Sequence, residues 1–253
     1  MAIWGYSDLD GLIKTHLKIK NGILVDTNIL VAATYDMDEY HEVAKNFIDN
    51  LIENNIPLYC NVNIRAEFLD IHRRIIVSEA ILGFEATCKK SELPPELASE
   101  LTSYRRRWEN RAKNKPNMSP LLLTDKEIKD FRKQMIQVSS KSIDLWTELT
   151  TDQIVSKIEA VWIETENNLG LNFLSLRKED QENFLNKKPD WDDVMKLMSN
   201  PGLSSYDAMI VNMFFVSKFE FIASSDLDIA IALNKSGLSN KHAIIPDELK
   251  VQF

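Results

Sequence analysis

Four carboxylates stand where an acidic side chain could do chemistry. Asp26 directly follows the apolar run Ile23-Leu24-Val25 and precedes Thr27-Asn28. An aspartate at the carboxyl end of a buried strand can project into the crevice above a sheet, and it can equally cap the next turn. Glu67, in Asn63-Ile64-Arg65-Ala66-Glu67-Phe68-Leu69, and Asp207, in Ser204-Ser205-Tyr206-Asp207-Ala208, each fall on the first turn of an apolar helix. Favourable placement near a helix N-terminus explains either of them as well as ligand binding does. Asp226 lies just past a second apolar strand, in Ala223-Ser224-Ser225-Asp226-Leu227-Asp228. Asp228 is the alternative there, but Asp226 is closer to the strand end. Carboxylate oxygens suit hard cations such as Mg²⁺ and Mn²⁺. Carboxylates crowded into one crevice raise each other's pKa unless a cation neutralises them.

The elements that must position these acids fall into three stretches. From about residue 20 to 70, strand and helix signals alternate. Ile23-Leu24-Val25 and Pro57-Leu58-Tyr59-Cys60 read as strands, because a parallel strand covered on both faces is continuously apolar. Between them, Tyr40 to Glu53 carries Val43, Ala44, Phe47, Ile48, Leu51 and Ile52 at helical spacing. A further helix is expected from Asn63 as N-cap. Residues 71 to 200 are charged, poor in glycine and helical in periodicity. Breaks fall at Leu93-Pro94-Pro95, Lys115-Pro116-Asn117, Ser119-Pro120, Asn167 to Gly170 and Lys188-Pro189, and helix starts at Asp125 and Asp152. Residues 201 to 253 return to α/β character. A helix capped by Ser204 or Ser205 is followed by a strand from Phe219 to Ala223, a short helix ending at Gly237, and a strand Ala243-Ile244-Ile245. Alternating β and α elements imply a parallel sheet, and such sheets bind ligands at the carboxyl ends of their strands.

The chain has 253 residues, 44% of them hydrophobic, so it can fill a substantial core. No apolar run approaches the roughly 20 residues that span a bilayer, and Asp8, Asp10, Lys14 and His16 interrupt the N-terminal stretch, unlike a signal peptide. Cys60 and Cys88 have no metal-type spacing and read as reduced thiols. A cytoplasmic protein with no membrane partner is expected. The net charge of −8 argues against a protein that coats nucleic acid, but not against one that cuts it, since clustered acidic ligands add to the total. His16, His41, His72 and His242 show no ligand spacing and read as structural or solvated.

Taken together, Ile23-Leu24-Val25-Asp26-Thr27-Asn28, Arg65-Ala66-Glu67, Ser204-Ser205-Tyr206-Asp207-Ala208-Met209-Ile210 and Ile222-Ala223-Ser224-Ser225-Asp226-Leu227-Asp228 resemble, in order, the acidic motifs of the PIN-domain family. His41-Glu42-Val43-Ala44 is also similar to a segment of that family. The resemblance covers about residues 20 to 72 and 201 to 246. It departs from the family in the stretch of about 130 residues between the second and third acids. It implies a PIN-like parallel sheet flanked by helices, formed by residues 1–72 and 201–253, with a mainly α-helical insertion over 73–200. It also implies a metal-dependent endoribonuclease whose Mg²⁺ or Mn²⁺ is held by Asp26, Glu67, Asp207 and Asp226. Asp26 and Asp207 would be the direct ligands, with Asn28, Ser224 and Asp228 supporting them. A toxin of a toxin–antitoxin pair, with a cognate antitoxin protein as partner, and a homodimer are further implications.

An acidic crevice needs positive charge elsewhere to deliver RNA. Candidates are His72-Arg73-Arg74 and Tyr104-Arg105-Arg106-Arg107-Trp108, the latter interleaving aromatics with arginine as base-stacking surfaces do. The same run also reads as a solvated helix face with Trp108 packed inward. Three other classes compete. A structure-specific DNA nuclease would want glycine-rich gripping segments, and the chain has only 7 glycines. A non-catalytic PIN-like binding module would have lost acids that are present here. A phosphatase or receiver domain would want a paired acid at the first strand, which Asp26-Thr27-Asn28 does not supply.

Overall fold

The computed structural model describes residues 2–89, 91, 93–115, 118–137, 146–147, 149, 154–175, 177–199 and 202–253. The expected helix start at Asp152 and the break at Pro116-Asn117 lie outside them. The protein is α/β, with a parallel six-stranded sheet flanked by helices. The chain divides into two units: unit 1 comprises Met1–Asp36, Tyr40–Phe68 and Thr165–Phe253, and unit 2 comprises Met37–Glu39 and Leu69–Glu164. Among the described residues no helix is long and apolar enough to cross a membrane.

Unit 1 holds the sheet. Its strands are β1 (Ile3–Gly5), β2 (Ile23–Val25), β3 (Leu58–Asn61), β4 (Asn172–Leu174), β5 (Phe221–Ala223) and β6 (His242–Ile245), in the spatial order β1-β6-β5-β2-β3-β4. The helices of this unit are α1 (Leu9–Thr15), α2 (Thr27–Thr34), α3 (His41–Glu53) and the start of α4 (Val62–Thr87). Its remaining sequence adds the end of a long helix, Ser156–Leu169, and the helices Lys178–Phe184, Trp191–Ser199, Ser205–Val216 and Leu227–Lys235. In chain order, with Pro95–Asn114 as α5 and Asp125–Gln137 as α6, these are α7, α8, α9, α10 and α11. The central strands β2, β5 and β6 are buried at every position, which is why they read as unbroken apolar runs.

Strand order fixes where a ligand would go. From β2 the chain steps outward through β3 to β4, then crosses back to place β5 on the other side of β2 and continues outward to β6. The direction of winding therefore reverses between β2 and β5. In open parallel sheets the crevice outside the carboxyl ends at such a reversal is the usual ligand site.

Three features depart from the sequence expectation. The stretch 73–200 is not one helical insertion: the unit boundary falls inside α4, between Phe68 and Leu69, and inside α7, between Glu164 and Thr165. Residues 165–200 return to unit 1, where β4 pairs with β3 at the sheet edge. Three-residue strands such as β1 and β4 are too short to show a period. Finally, α4 begins at Val62, and its cap is Asn61, whose Oδ1 accepts from the amides of Asn63 at 2.9 Å and Ile64 at 3.0 Å.

Unit 2 packs α5, α6 and the rest of α4 around Val77, Ile81, Leu97, Leu101, Tyr104, Ile128 and Phe131. Tyr104 donates its hydroxyl to Leu121 O at 2.9 Å, and Ser78 Oγ accepts from Leu123 N at 2.9 Å, which ties the segment before α6 to the core of the unit. The expected helix start at Asp125 is present, with Glu127 accepting from Thr124 N at 2.8 Å in a capping box.

Candidate active site

The register of β2 on β5 pairs Val25 with Ala223, so the next residues, Asp26 and Ser224, emerge side by side at the winding reversal. Asp26 N donates to Ala223 O at 2.9 Å, and Ser224 Oγ donates to Asp26 Oδ2 at 2.7 Å. Both side chains are buried, Asp26 2% and Ser224 0% exposed. Asp26 stands at the N-cap of α2 without the usual side-chain capping hydrogen bond, and its carboxylate receives only the Thr27 amide from that helix. Turn capping accounts for this aspartate only in part.

Glu67 and Asp226 act on Asp26, and Asp207 acts on Asp226. Ser224 Oγ also accepts from Asp226 N at 2.9 Å, so one hydroxyl links two of the four acidic residues. Asp226 is the N-cap of α11, with Oδ1 accepting from Asp228 N at 2.7 Å. Asp228 itself is exposed and contributes that amide. Glu67, on the second turn of α4, receives the hydroxyl of Thr27 on Oε2 at 2.7 Å. Asp207 sits on the first turn of α10, where Ser204 Oγ donates to its Oδ2 at 2.6 Å and accepts from its backbone amide at 3.2 Å. Asn28 lies on the first turn of α2 with its side chain exposed.

Electrostatics shows which acids act on one another. Burial pushes the Asp26 carboxyl up to about 7, and the charges of Glu67 and Asp226 push it the same way. The Ser224 hydroxyl and the Thr27 amide pull it back only in part. Asp226 is likewise raised, by burial and by Asp207 and Asp228. Asp226 is thus the link between Asp26 and Asp207, a role that the sequence alone does not single out.

Like charges held in one buried place are relieved by a proton or by a cation. Oxygen donors of this kind fit a hard divalent cation in their chemistry. Among the described residues, however, no three His, Cys, Asp or Glu side chains already form a metal cage. The donor set is present, and the ligating atoms are not drawn together.

Two buried donors beside these acids escape sequence reasoning. Tyr6, just past the carboxyl end of β1, stacks on Phe47 with ring centroids 4.0 Å apart, and its hydroxyl is buried without a hydrogen-bond partner. Asn61, at the carboxyl end of β3, uses Oδ1 as the cap of α4 and leaves Nδ2 buried and unpartnered. Nothing in the sequence marks either one. Their places become visible only once the strands are ordered.

The candidate substrate-delivering residues lie in unit 2 and are largely engaged there. Arg105 pairs with the buried carboxylate of Glu85 and donates to Leu82 O at 2.7 Å. Arg107 pairs with Glu127 at 2.7 Å, Arg73 bridges Asp70 and Asp125, and Arg74 Nε donates to Leu123 O at 3.0 Å. His72 is buried and its pKa falls to about 4, so it adds no charge to Arg73 and Arg74 at neutral pH. Arg106 is exposed and Trp108 half-buried.

No family model matches the chain, and no curated protein or solved structure matches it either.

Proposed function

We propose that the chain is a PIN-like, metal-dependent endoribonuclease, with Asp26, Glu67, Asp207 and Asp226 as its acidic centre. The observation that carries this reading is the Asp26–Ser224 pair, buried at the winding reversal with Glu67 and Asp226 acting on it. A structural aspartate would be expected to cap a helix or meet a cation of the protein; Asp26 instead meets further negative charge. Perturbed carboxyl groups in a sheet crevice are the usual mark of a functional site.

The cation is Mg²⁺ or Mn²⁺, which supplies an activated water and offsets charge on the leaving 3′ oxygen. Each acid is oriented by its own neighbour. Ser224 fixes one oxygen of Asp26, the Asp228 amide fixes one of Asp226, Thr27 fixes one of Glu67, and Ser204 fixes one of Asp207. These four residues would supply the oxygen ligands if a divalent cation binds. No histidine or cysteine nucleophile is required, and burial pushes the Cys60 thiol up to about 12, which makes it a poor one.

The test is cleavage of labelled single-stranded RNA and DNA with Mn²⁺, with Mg²⁺ and with EDTA, alongside an Asp26→Asn, Asp207→Asn double variant. Metal-dependent RNA cleavage that disappears in the variant is the expected result. Cleavage of DNA alone would replace ribonuclease with deoxyribonuclease. No cleavage together with no metal binding would overturn the enzyme reading.

A further inference from the structure

Within unit 2, α4 and α6 frame a cavity of about 430 Å³, inside the roughly 300–1,000 Å³ range of small-ligand sites. Val77 and Ile128, both buried, give it an apolar floor. Asp125, Lys129 and Arg132 stand at i, i+4 and i+7 of α6, so one face of that helix lines the cavity, and Arg73 lines it from α4. Trp146 adds an aromatic wall: it packs against the core that contains Val77 and Ile128, yet it is only half-buried and lines the cavity. The charges here are unevenly engaged. Arg73 pairs with Asp125 and with Asp70. Lys129 and Arg132 are exposed and have no hydrogen bond or ion pair among the described residues. A chain of net charge −8 therefore carries, at this one place, an apolar hollow with a tryptophan and two uncommitted cations.

A phosphate matches the cations, and a flat unsaturated ring matches the apolar floor and the indole. A nucleotide joins the two. Its base can reach such a wall only when it is unpaired, and every base has a face that stacks on an aromatic side chain. Lys129 and Arg132 are three residues apart on a helix, hence neighbours on its surface, and can meet the same phosphate. We propose that this cavity of unit 2 is a subsite for one unpaired nucleotide of single-stranded RNA, its base against Trp146 and its phosphate held by Lys129 and Arg132. The choice of RNA rests on the ribonuclease reading above. The contacts themselves need no metal, so the subsite can be tested apart from the acidic centre.

The experiment is fluorescence anisotropy on the full chain in EDTA at several salt concentrations, with two probes: labelled hexauridylate and an abasic strand with the same number of phosphates. A Lys129→Ala, Arg132→Ala variant is compared with a Lys126→Ala, Lys133→Ala variant, which removes the same charge from α6 at positions that do not line the cavity. All four side chains are exposed, so thermal unfolding should stay close to wild type in both. The wild type should prefer the strand with bases by about fivefold or more, the lower bound for one stacked base. The cavity variant should flatten the dependence of log K on log salt by about 0.7, the loss of one phosphate contact, and the control variant should leave it unchanged. Trp146→Leu, which keeps an apolar side chain against the core, should lose the preference for bases. Equal salt slopes in the two double variants would overturn the proposal by assigning binding to diffuse charge. So would a wild type indifferent to bases, or a preference that Trp146→Leu retains. Competition by uridine monophosphate at the affinity of the strand would also overturn it, and assign the cavity to a free nucleotide. The expected binding pattern without cleavage once Mn²⁺ is added would overturn the acidic centre and leave this subsite standing. Metal-dependent cleavage without that pattern would do the reverse.

Discussion

Asp26 of unit 1 and Glu85 of unit 2 are buried to a similar degree, 2% and 4% exposed, yet their surroundings are opposite. Glu85 lies against the guanidinium of Arg105, which also donates to a main-chain carbonyl. Elsewhere in unit 2, Arg73, Arg74, Arg107 and Arg111 all pair with carboxylates or carbonyl oxygens of the same unit. Unit 1 gives a second buried charge main-chain partners, although burial still pushes that ammonium down to about 8. Lys241, 3% exposed, donates to the carbonyls of Phe214 at 2.8 Å and Ser217 at 2.9 Å and lies 4.7 Å from the Phe214 ring centroid. Asp26 receives no such treatment: a hydroxyl and an amide are its main counterweights, and two further carboxylates act against it. The contrast separates charge that serves the fold from charge that the fold holds against its own preference. The second kind can be relieved by a proton, or by the cation proposed above.

The largest expected effect tests that contrast at Asp26. The folded carboxyl titrates near 7 against a reference of 3.8, so between those values the folded state holds a proton that the unfolded chain has released. Metal-free wild type therefore loses stability as pH rises from about 4 to about 7, and the full penalty applies above 7. A shift of this size corresponds to about 4 kcal/mol. Asp26→Asn keeps an acceptor for Ser224 and removes the charge. Denaturant melts at pH 8 should show it more stable than metal-free wild type by up to that amount, with the difference vanishing near pH 4. A variant less stable than wild type at pH 8 would mean that Asp26 is a structural residue.

Arg105→Met should act in the opposite direction. It leaves Glu85 buried without its guanidinium, at a cost of about 3 kcal/mol, toward the low end for a broken buried pair because the Arg105 side chain is still 29% exposed. Adding Glu85→Gln should recover most of the loss. A single variant with no loss of stability would remove Arg105 from the fold and return it to the pool of residues open to RNA.

Next in size is the effect of the cation. At 100 times its Kd, Mn²⁺ should stabilise the wild type at pH 8 by about 2.7 kcal/mol, and it should leave Asp26→Asn unmoved. Equal stabilisation of both proteins would place the binding site away from the β2–β5 crevice.

The same contrast explains what can be read without a structure. β2, β3, β5 and β6 are visible because buried parallel strands are largely apolar, and the acids follow from their positions at strand ends and near helix starts, although Glu67, expected on a first turn, lies on the second turn of α4. β1 and β4 are not visible. Each is three residues long at a sheet edge, in Ile3-Trp4-Gly5 and Asn172-Phe173-Leu174. The basic run 105–107 is visible as charge, but its partners Glu85 and Glu127 lie 20 residues away and meet it only through the packing of unit 2. Tyr6 and Asn61 depend on strand order, which no local pattern encodes. Spacing shows which residues could ionise, and only tertiary packing decides which of them are compensated.

The smallest effects concern Arg106 and Arg107, neighbours on α5 that differ in engagement. Arg107 pairs with Glu127 across side chains 49% and 29% exposed, a geometry worth less than about 1 kcal/mol, while Arg106 is exposed. Alanine at either position should therefore leave unfolding within about 1 kcal/mol of wild type, which makes both suitable for a binding test. If α5 helps deliver single-stranded RNA, Arg106→Ala should lower affinity at low salt. It should also flatten the dependence of log K on log salt by about 0.7, the change expected when one phosphate is no longer neutralised. Arg107→Ala should do less, because its charge is already offset by Glu127. Fluorescence anisotropy with a short labelled RNA at several salt concentrations reads both variants. Identical salt slopes for wild type and Arg106→Ala would show that this helix face is simply solvated, and that positive charge elsewhere brings the substrate to the acids.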